Sequence, residues 1–236
     1  MRKIRYTWVV VVFLLTGCIG VSQPDYAKLR DRMVENQIVA RGISDSRVIK
    51  AMKKVERHLF VPDGAKRFAY SDGPLSIGEG QTISQPYIVA FMTECLSLKT
   101  DMKVLEVGTG SGYQAAVLAE MVDEVYTIEI VETLGMRSKN LLADLGYDNI
   151  FVKIGDGYKG WIEHAPYDAI IVTCAPNRIP DPLKEQLAEG GKMIIPVGGQ
   201  GIQYLILNTK KNGRIRQVSV LPVRFVPMVN KKGIRY

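Results

Sequence analysis

The stretch Val104-Leu105-Glu106-Val107-Gly108-Thr109-Gly110-Ser111-Gly112-Tyr113 decides how this chain folds. Its first four residues are mostly β-branched or apolar and, with Lys103 before them, read as a buried strand over Lys103 to Val107. The next five alternate glycine with small polar residues and read as a tight turn, and Gln114 to Met121 then has the composition of a helix. Strand, glycine turn and helix in that order form a ligand-binding unit, because glycine lets the backbone come close to whatever the turn holds. The spacing Gly108, Gly110, Gly112 is GxGxG and departs from the GxGxxG of dinucleotide folds.

Downstream of this unit the pattern repeats. Further strands are expected over Glu124 to Glu129, Ile150 to Ile154, Ala169 to Thr173, Lys192 to Pro196, Tyr204 to Asn208 and Gln217 to Pro222, with helices over Val131 to Leu145 and Asp181 to Glu189. Such alternation predicts an α/β fold, Rossmann-like, with a mostly parallel seven-stranded sheet and helices on both faces. Lys211-Asn212-Gly213-Arg214 is a hairpin signal that makes the last two strands an antiparallel pair at one edge. Upstream, apolar residues at helical spacing predict a helix from Asp25 to about Arg41, stopped by Gly42, and a second that starts at Ser44 as N-cap and carries Val48, Met52, Val55 and Leu59. Ser71 to Gln81 reads as a loop, and Ser84-Gln85-Pro86 opens a helix through Val89, Met92 and Leu96. The expected organisation is therefore a leader over 1–23 and one catalytic domain over 24–236, with a helical extension over about 24–99 and the Rossmann-like core over about 100–236.

Three acids stand at the expected carboxyl ends of three successive strands. Glu106 immediately precedes the turn, Glu129 ends the next strand, and Asp156 follows the third in Gly155-Asp156-Gly157. Ligands of open α/β sheets bind at that edge, so the acids are expected to converge on one crevice. A pyrophosphate favours an open helix N-terminus, whereas S-adenosylmethionine has no phosphate and offers an ammonium group, a ribose and an adenine. That cofactor fits an acidic site: Glu106 toward the ammonium end, Glu129 accepting from both ribose hydroxyls, Asp156 receiving the adenine amino group.

Composition excludes several other classes. Of 236 residues 47% are hydrophobic and 23% charged, the profile of an ordinary soluble domain. The net charge is +7, but Arg2, Lys3 and Arg5 belong to the leader and the remaining bases are scattered, with one small cluster at Lys231, Lys232 and Arg235. No basic run is interleaved with aromatics, so nucleic acid is not an expected partner. Cys18, Cys95 and Cys174 make no disulfide framework or metal motif, and His58 and His164 are too far apart in sequence for a metal site or triad; both histidines are expected at the surface or half-buried. No metal is expected. The leader has a basic start, an apolar run through Leu15, and then Leu15-Thr16-Gly17-Cys18, which looks like a bacterial lipobox. Cleavage before Cys18, lipidation of its thiol and anchoring in the cell envelope follow from that reading; an uncleaved hydrophobic anchor, or a cytoplasmic location, stays open.

Five segments together resemble the protein-L-isoaspartate O-methyltransferase family: Gly80 to Met92, Val104 to Tyr113, Tyr167 to Thr173, Gly190 to Gly198 and Val223 to Met228. The specific part is Thr82-Ile83-Ser84 followed by Gln85-Pro86, since many methyltransferases share the glycine turn. The resemblance spans about Leu29 to Met228. It implies an S-adenosylmethionine-dependent methyltransferase that esterifies the free α-carboxyl of L-isoaspartyl residues in proteins and peptides, after which the ester closes to a succinimide without enzyme. It also implies Ser84 as the active-site residue, with Thr82, Ile83, Ser84 and Val226 at the substrate. The cofactor set becomes Glu106, Gly108, Thr109, Gly110, Ser111, Gly112, Glu129, Asp156 and Gly157. The leader has no counterpart in the usual cytoplasmic members of the family. A monomer is expected.

A carboxylate is ionised at neutral pH and is itself the nucleophile, so methyl transfer to it needs no general base and no histidine. Two other readings remain at this point: a methyltransferase for a small molecule or RNA, and a lipid-anchored protein that binds damaged envelope proteins without turnover.

Overall fold

The computed structural model describes residues 24–199 and 201–236. The leader, Cys18 and its lipobox lie outside the described residues, and among the described residues no helix is long and apolar enough to cross a membrane.

The amino-terminal extension starts with α1 (Tyr26–Met33), whose N-cap Asp25 accepts from the Lys28 N–H at 3.0 Å. The chain continues through a π-helical turn, Val34–Ile38, and a 3₁₀ turn, Val39–Arg41, to Gly42 at φ 92°, the expected stop. The second helix, α2 (Ser46–Lys54), begins one residue later than expected, with Asp45 as N-cap in place of Ser44. The reason is tertiary: the backbone N–H groups of Ser44 and Asp45 both donate to Glu94 Oε1, so Asp45 is left facing the first turn and accepts from Arg47 N–H. Val55 turns extended, and Leu59 lies in a separate 3₁₀ turn, Arg57–Phe60. Ser71 to Gln81 is not all loop. It contains β1 (Leu75–Gly78), paired antiparallel with β2 (Gln81–Ile83) across Glu79 and Gly80 at positive φ. Next comes α3 (Pro86–Leu96), with proline in the first turn and Ser97 as a left-handed C-cap.

The core elements follow as β3 (Lys103–Val107), α4 (Tyr113–Ala119), β4 (Glu124–Glu129), α5 (Glu132–Asp144), β5 (Ile150–Ile154), β6 (Tyr167–Val172), α6 (Asp181–Gln186), β7 (Leu187–Val197), β8 (Gln203–Lys211) and β9 (Arg214–Val223). The three strands β3 to β5 have the bounds expected from their β-branched runs. The helix expected to reach Glu189 ends at Gln186 instead, because Leu187 is buried and pairs with Tyr167 as the first residue of β7. Sheet order is β5-β4-β3-β6-β7-β8-β9, with β5 through β7 parallel and β8 and β9 antiparallel. The β8–β9 turn has Asn212 and Gly213 both at positive φ, the conformation an Asn-Gly hairpin supplies.

Side chains of the sheet alternate between two cores. Val104, Ala169, Ile171 and Ile194 join the extension, α3 and α4; Leu105, Val107, Ile170 and Val172 pack with Leu183 of α6 on the other face. The extension and the sheet therefore share one hydrophobic cluster. From β3 the chain runs outward through β4 to β5, then crosses back to β6 on the opposite side of β3, so the strand order reverses at β3/β6. A crevice opens outside the carboxyl ends of strands at such a reversal.

His58 departs from expectation. It is buried, stacked on Tyr26 at 3.9 Å with Nδ1 2.8 Å from the Tyr70 hydroxyl, because these two rings, one from α1 and one at Tyr70, close around it. His164 is half-buried against Tyr126, as expected.

Candidate functional site

Two adjoining clefts lie at the reversal point. One is lined by Gly108, Gly110, Glu129, Gly157 and Val226, the other by Ile83, Ser84, Glu106, Thr109 and Ser111. Thr82, Gly108, Gly110 and Thr173 line both, so the clefts meet at the glycine turn.

The turn cannot tolerate larger residues at its base. Gly108 has φ +99°, and a Cβ built on it would lie 2.4 Å from Thr173 Oγ1. The Thr173 hydroxyl donates to the Gly108 carbonyl at 2.7 Å, which ties β6 to the turn. A Cβ on Gly157 would likewise stand 2.4 Å from Val107 Cγ1, so the segment after β5 can lie against β3 only as glycine.

The two strand-end acids are interior groups. Glu106 is fully buried; Oε2 accepts from the Thr127 hydroxyl, which is also 2.6 Å from the Thr109 hydroxyl, and Oε1 has no partner among the described residues. Burial pushes the Glu106 carboxyl up to about 8, with the nearby Glu129 adding to the rise and the Thr127 hydrogen bond opposing it. Glu129 is 5% exposed; Oε2 accepts from the Gly110 N–H at 2.7 Å and Oε1 from the Val131 N–H at 2.9 Å. Each of its oxygens keeps a lone pair that these bonds leave unused, and the residue lines the first cleft. Buried Ser111 accepts from the Tyr113 N–H at 3.3 Å, and Ser138 donates to the Gly110 carbonyl, so the turn is held from several sides.

Two of the expected cofactor residues do not line either cleft. Gly112, at φ +86°, packs against Leu142 and shapes the start of α4. Asp156 uses Oδ1 to cap the 3₁₀ turn Gly157–Lys159 by accepting from Tyr158 N–H, and Oδ2 to accept from the Tyr236 hydroxyl. Tyr236 stacks on Tyr158 at 4.1 Å, and its backbone is held by Asn177 and Met228.

On the other side, β2 carries Thr82 exposed and Ile83 buried, and Ser84 follows half-buried. Ser84 is not the N-cap of α3; Gln85 is, and its side chain donates to Asp72 at 2.6 Å. The Ser84 hydroxyl makes no hydrogen bond among the described residues, and its carbonyl accepts from Arg57 Nη2 at 2.7 Å. Val226 closes the site from the segment that follows β9, its carbonyl accepting from Ala175 N–H at 2.8 Å.

Sequence reasoning missed Thr173, Arg57 and Tyr236. Thr173 follows the end of β6, beside β3 in the sheet, and the strand-end rule that selected Glu129 could have found it. Arg57 and Tyr236 reach the site only through contacts across 27 and 80 positions, for which the local pattern carries no signal. A separate groove bounded by Lys54, Glu56, Glu120 and Tyr147 shares no residue with the clefts, and its Lys54 and Glu120 pair at 2.6 Å.

The donor set suits S-adenosylmethionine. A buried carboxylate oxygen without a partner can receive an ammonium group, a second buried carboxylate with free lone pairs can receive vicinal hydroxyls, and a glycine-walled slot admits a flat ligand edge. Among the described residues no group of histidine, cysteine and acidic side chains is arranged to hold a metal ion.

Residues 28–233 match the family model described as Protein-L-isoaspartate(D-aspartate) O-methyltransferase. A protein-L-isoaspartate O-methyltransferase of Opitutus terrae is 54% identical over 219 residues, covering 91% of this chain and 94% of that protein. Protein-L-isoaspartate O-methyltransferase 1 of Nitrosospira multiformis is 54% identical over 217 residues, covering 90% and 92%. Among solved structures, a protein-L-isoaspartate O-methyltransferase superposes with TM-score 0.80 at 30% identity, covering 86% of this chain and 67% of that one. A Plasmodium falciparum chain described as a protein-L-isoaspartate O-methyltransferase, in complex with S-adenosyl-L-homocysteine, gives 0.75 at 29%, covering 89% and 100%.

Proposed function

The chain belongs to the protein-L-isoaspartate(D-aspartate) O-methyltransferase family, and from that premise we infer that it is an S-adenosylmethionine-dependent enzyme that esterifies the free α-carboxyl of L-isoaspartyl residues in proteins and peptides. The observation that carries this reading is the shared wall of the two clefts, Thr82, Gly108, Gly110 and Thr173: a cofactor lying across it, with its ribose at Glu129 in the first cleft and its ammonium end at Glu106 in the second, would meet a carboxylate held at Ser84.

S-adenosylmethionine, when bound, supplies a methyl group on a sulfonium sulfur. Glu129 would accept from its ribose hydroxyls through the lone pairs that Gly110 and Val131 leave free, and Glu106 Oε1 would take its ammonium end. Gly108, Thr109, Gly110, Ser111 and Gly157 would form the slot, with Gly112 shaping the turn; Asp156 would act at the adenine end through its place beside Gly157. Ser84 donates its hydroxyl to the substrate carboxylate, with Thr82, Ile83 and Val226 around the peptide. No proton has to be removed, so holding carboxylate, methyl and sulfur in line is the main task, and alignment of this kind is worth up to about 7–11 kcal/mol. Incubation of the protein with radiolabelled cofactor and an isoaspartyl peptide should give base-labile label on the peptide. Label on an RNA or a metabolite with none on the peptide would replace this reading by another methyltransferase.

For location we read residues 1–23 as a leader and 24–236 as the catalytic unit, acting as a monomer and held at the membrane by a lipidated Cys18. The basic start, apolar run and lipobox support it. An exported enzyme needs its cofactor delivered, which a cytoplasmic relative does not. Intact-mass analysis of the membrane fraction should find a chain that begins at a diacylated Cys18; an unmodified chain that retains Met1 would place it elsewhere.

A further inference from the structure

The substrate's α-carboxylate enters a site whose walls, among the described residues, hold no basic side chain. Among the described residues neither cleft is lined by lysine or arginine, and the acids Glu106 and Glu129 line them instead. Burying a carboxylate there without a compensating charge is unfavourable. One cation stands directly behind Ser84. Arg57 is fully buried, with Nη2 donating to the Ser84 carbonyl and Nε to the Ala69 carbonyl, both at 2.7 Å; Nη1 has no partner among the described residues. Its guanidinium lies 4.8 Å from the ring centroid of Tyr113, the first residue of the helix after the glycine turn. No carboxylate pairs with it among the described residues, which is unusual for a buried arginine.

We propose that Arg57 is a positioning residue of the carboxylate site that acts through Ser84 on substrate binding: held against the Ser84 carbonyl, it supplies, from behind the wall, the positive charge that the incoming α-carboxylate meets. The role deepens the proposed function and rests on Ser84 receiving the carboxylate. Burial lowers the guanidinium pKa to about 10, which still leaves it charged at neutral pH. The carboxylate loses its charge as the ester forms, so a fixed cation favours the bound substrate more than the transition state. Its contribution therefore belongs in KM for the peptide and little in kcat.

Arg57→Met and Arg57→Lys should be compared with the unaltered protein by peptide kinetics and by calorimetric titration of S-adenosyl-L-homocysteine. Arg57→Met should raise the peptide KM about tenfold or more, with kcat changed less than about threefold and cofactor affinity kept; Arg57→Lys, which retains the charge, should recover most of the KM. A merely structural arginine would lose kcat and cofactor affinity together, and lysine would rescue no better than methionine; either result overturns the proposal. Should Arg57→Met not fold, the unaltered protein loaded with S-adenosyl-L-homocysteine decides. An isoaspartyl peptide should bind better than its α-carboxamide analogue by a ratio that holds within about twofold between low and high salt, because a buried charge is poorly screened. A ratio that collapses with salt would assign the attraction to surface lysines and overturn the proposal. Ser84→Ala separates the two ideas. If it leaves peptide kinetics unchanged, the carboxylate does not sit at Ser84 and the parent reading fails; if it impairs turnover while Arg57→Met leaves KM unaltered, only the role of Arg57 fails.

Discussion

Glu129 Oε2 accepts a hydrogen bond from the Gly110 backbone N–H at 2.7 Å, so the acid that ends β4 also fixes the middle of the glycine turn on β3. Its other oxygen holds Val131 N–H at the start of α5. Glu129→Ala leaves both donors without their partner, each at a cost of about 1–3 kcal/mol when buried. Cofactor affinity, measured by calorimetric titration, should fall about tenfold or more, and thermal stability should fall with it. Glu129→Gln keeps one acceptor and should lie between. Unchanged affinity in both variants would remove Glu129 from the site.

The close approach of Gly108 to Thr173 makes a second prediction. Gly108→Ala adds a Cβ at a φ of +99° and 2.4 Å from Thr173 Oγ1, so it combines backbone strain with a clash. A loss of about 1–3 kcal/mol in stability is expected from the backbone alone. Adding Thr173→Ala removes the clashing oxygen and should restore part of the stability but not the strain. Denaturant unfolding of the single and double variants checks this, and a double variant no better than the single would show that the threonine had already moved aside.

Glu106 supplies a pH dependence. Its folded pKa, about 8, lies above the ordinary carboxyl value of 4.5 because burial disfavours the charged form. Between those values the folded protein binds more protons than the unfolded chain, so this group makes stability fall as pH rises from about 4.5 to about 8. Glu106→Gln should flatten that part of the stability profile. An ammonium group at Oε1 would favour the ionised carboxylate and draw its pKa down, so cofactor binding at neutral pH should release a proton. Titration in buffers of different ionisation enthalpy measures the release. No proton release in the unaltered protein, or the same release in Glu106→Gln, would place the ammonium elsewhere.

Much of the core could be read from the chain because its signals are local. The β-branched runs of β3, β4 and β5 set their own limits, Asn212-Gly213 specified its hairpin, and the strand-end acids were placed by their position after each run. Elements governed by contacts made elsewhere were less legible. The β1–β2 hairpin is short and rich in glycine, so the alternation of Leu75, Ser76, Ile77 and Gly78 covers too few residues to stand out from a loop. Asp45 displaces Ser44 as N-cap because of Glu94, far along the chain, and Leu187 leaves the helical pattern for β7 because Tyr167 pairs with it. At the site, the GxGxG turn and Thr82-Ile83-Ser84 were visible as motifs. The interior character of Glu106 and Glu129, the engagement of Asp156 by Tyr236, and the arginine behind Ser84 depend on the folded arrangement alone.

On the proposed function the site recognises a carboxylate by where it stands on the peptide, and two isomeric peptides put this to the test. An isoaspartyl peptide and its aspartyl isomer have the same composition and charge, but the free carboxylate of the aspartyl form stands one methylene further from the backbone. With the shared wall fixed through Thr173 and the glycine turn through Glu129, the site has little freedom to follow that shift. Misplacement by about 1 Å costs on the order of a hundredfold in rate. Methyl transfer measured on the matched pair, at slightly acidic pH where the ester survives, should favour the isoaspartyl peptide in kcat/KM by about a hundredfold or more, and Ser84→Ala should lose turnover more than cofactor affinity. Equal kcat/KM on the two isomers would mean that the site does not read the position of the carboxylate.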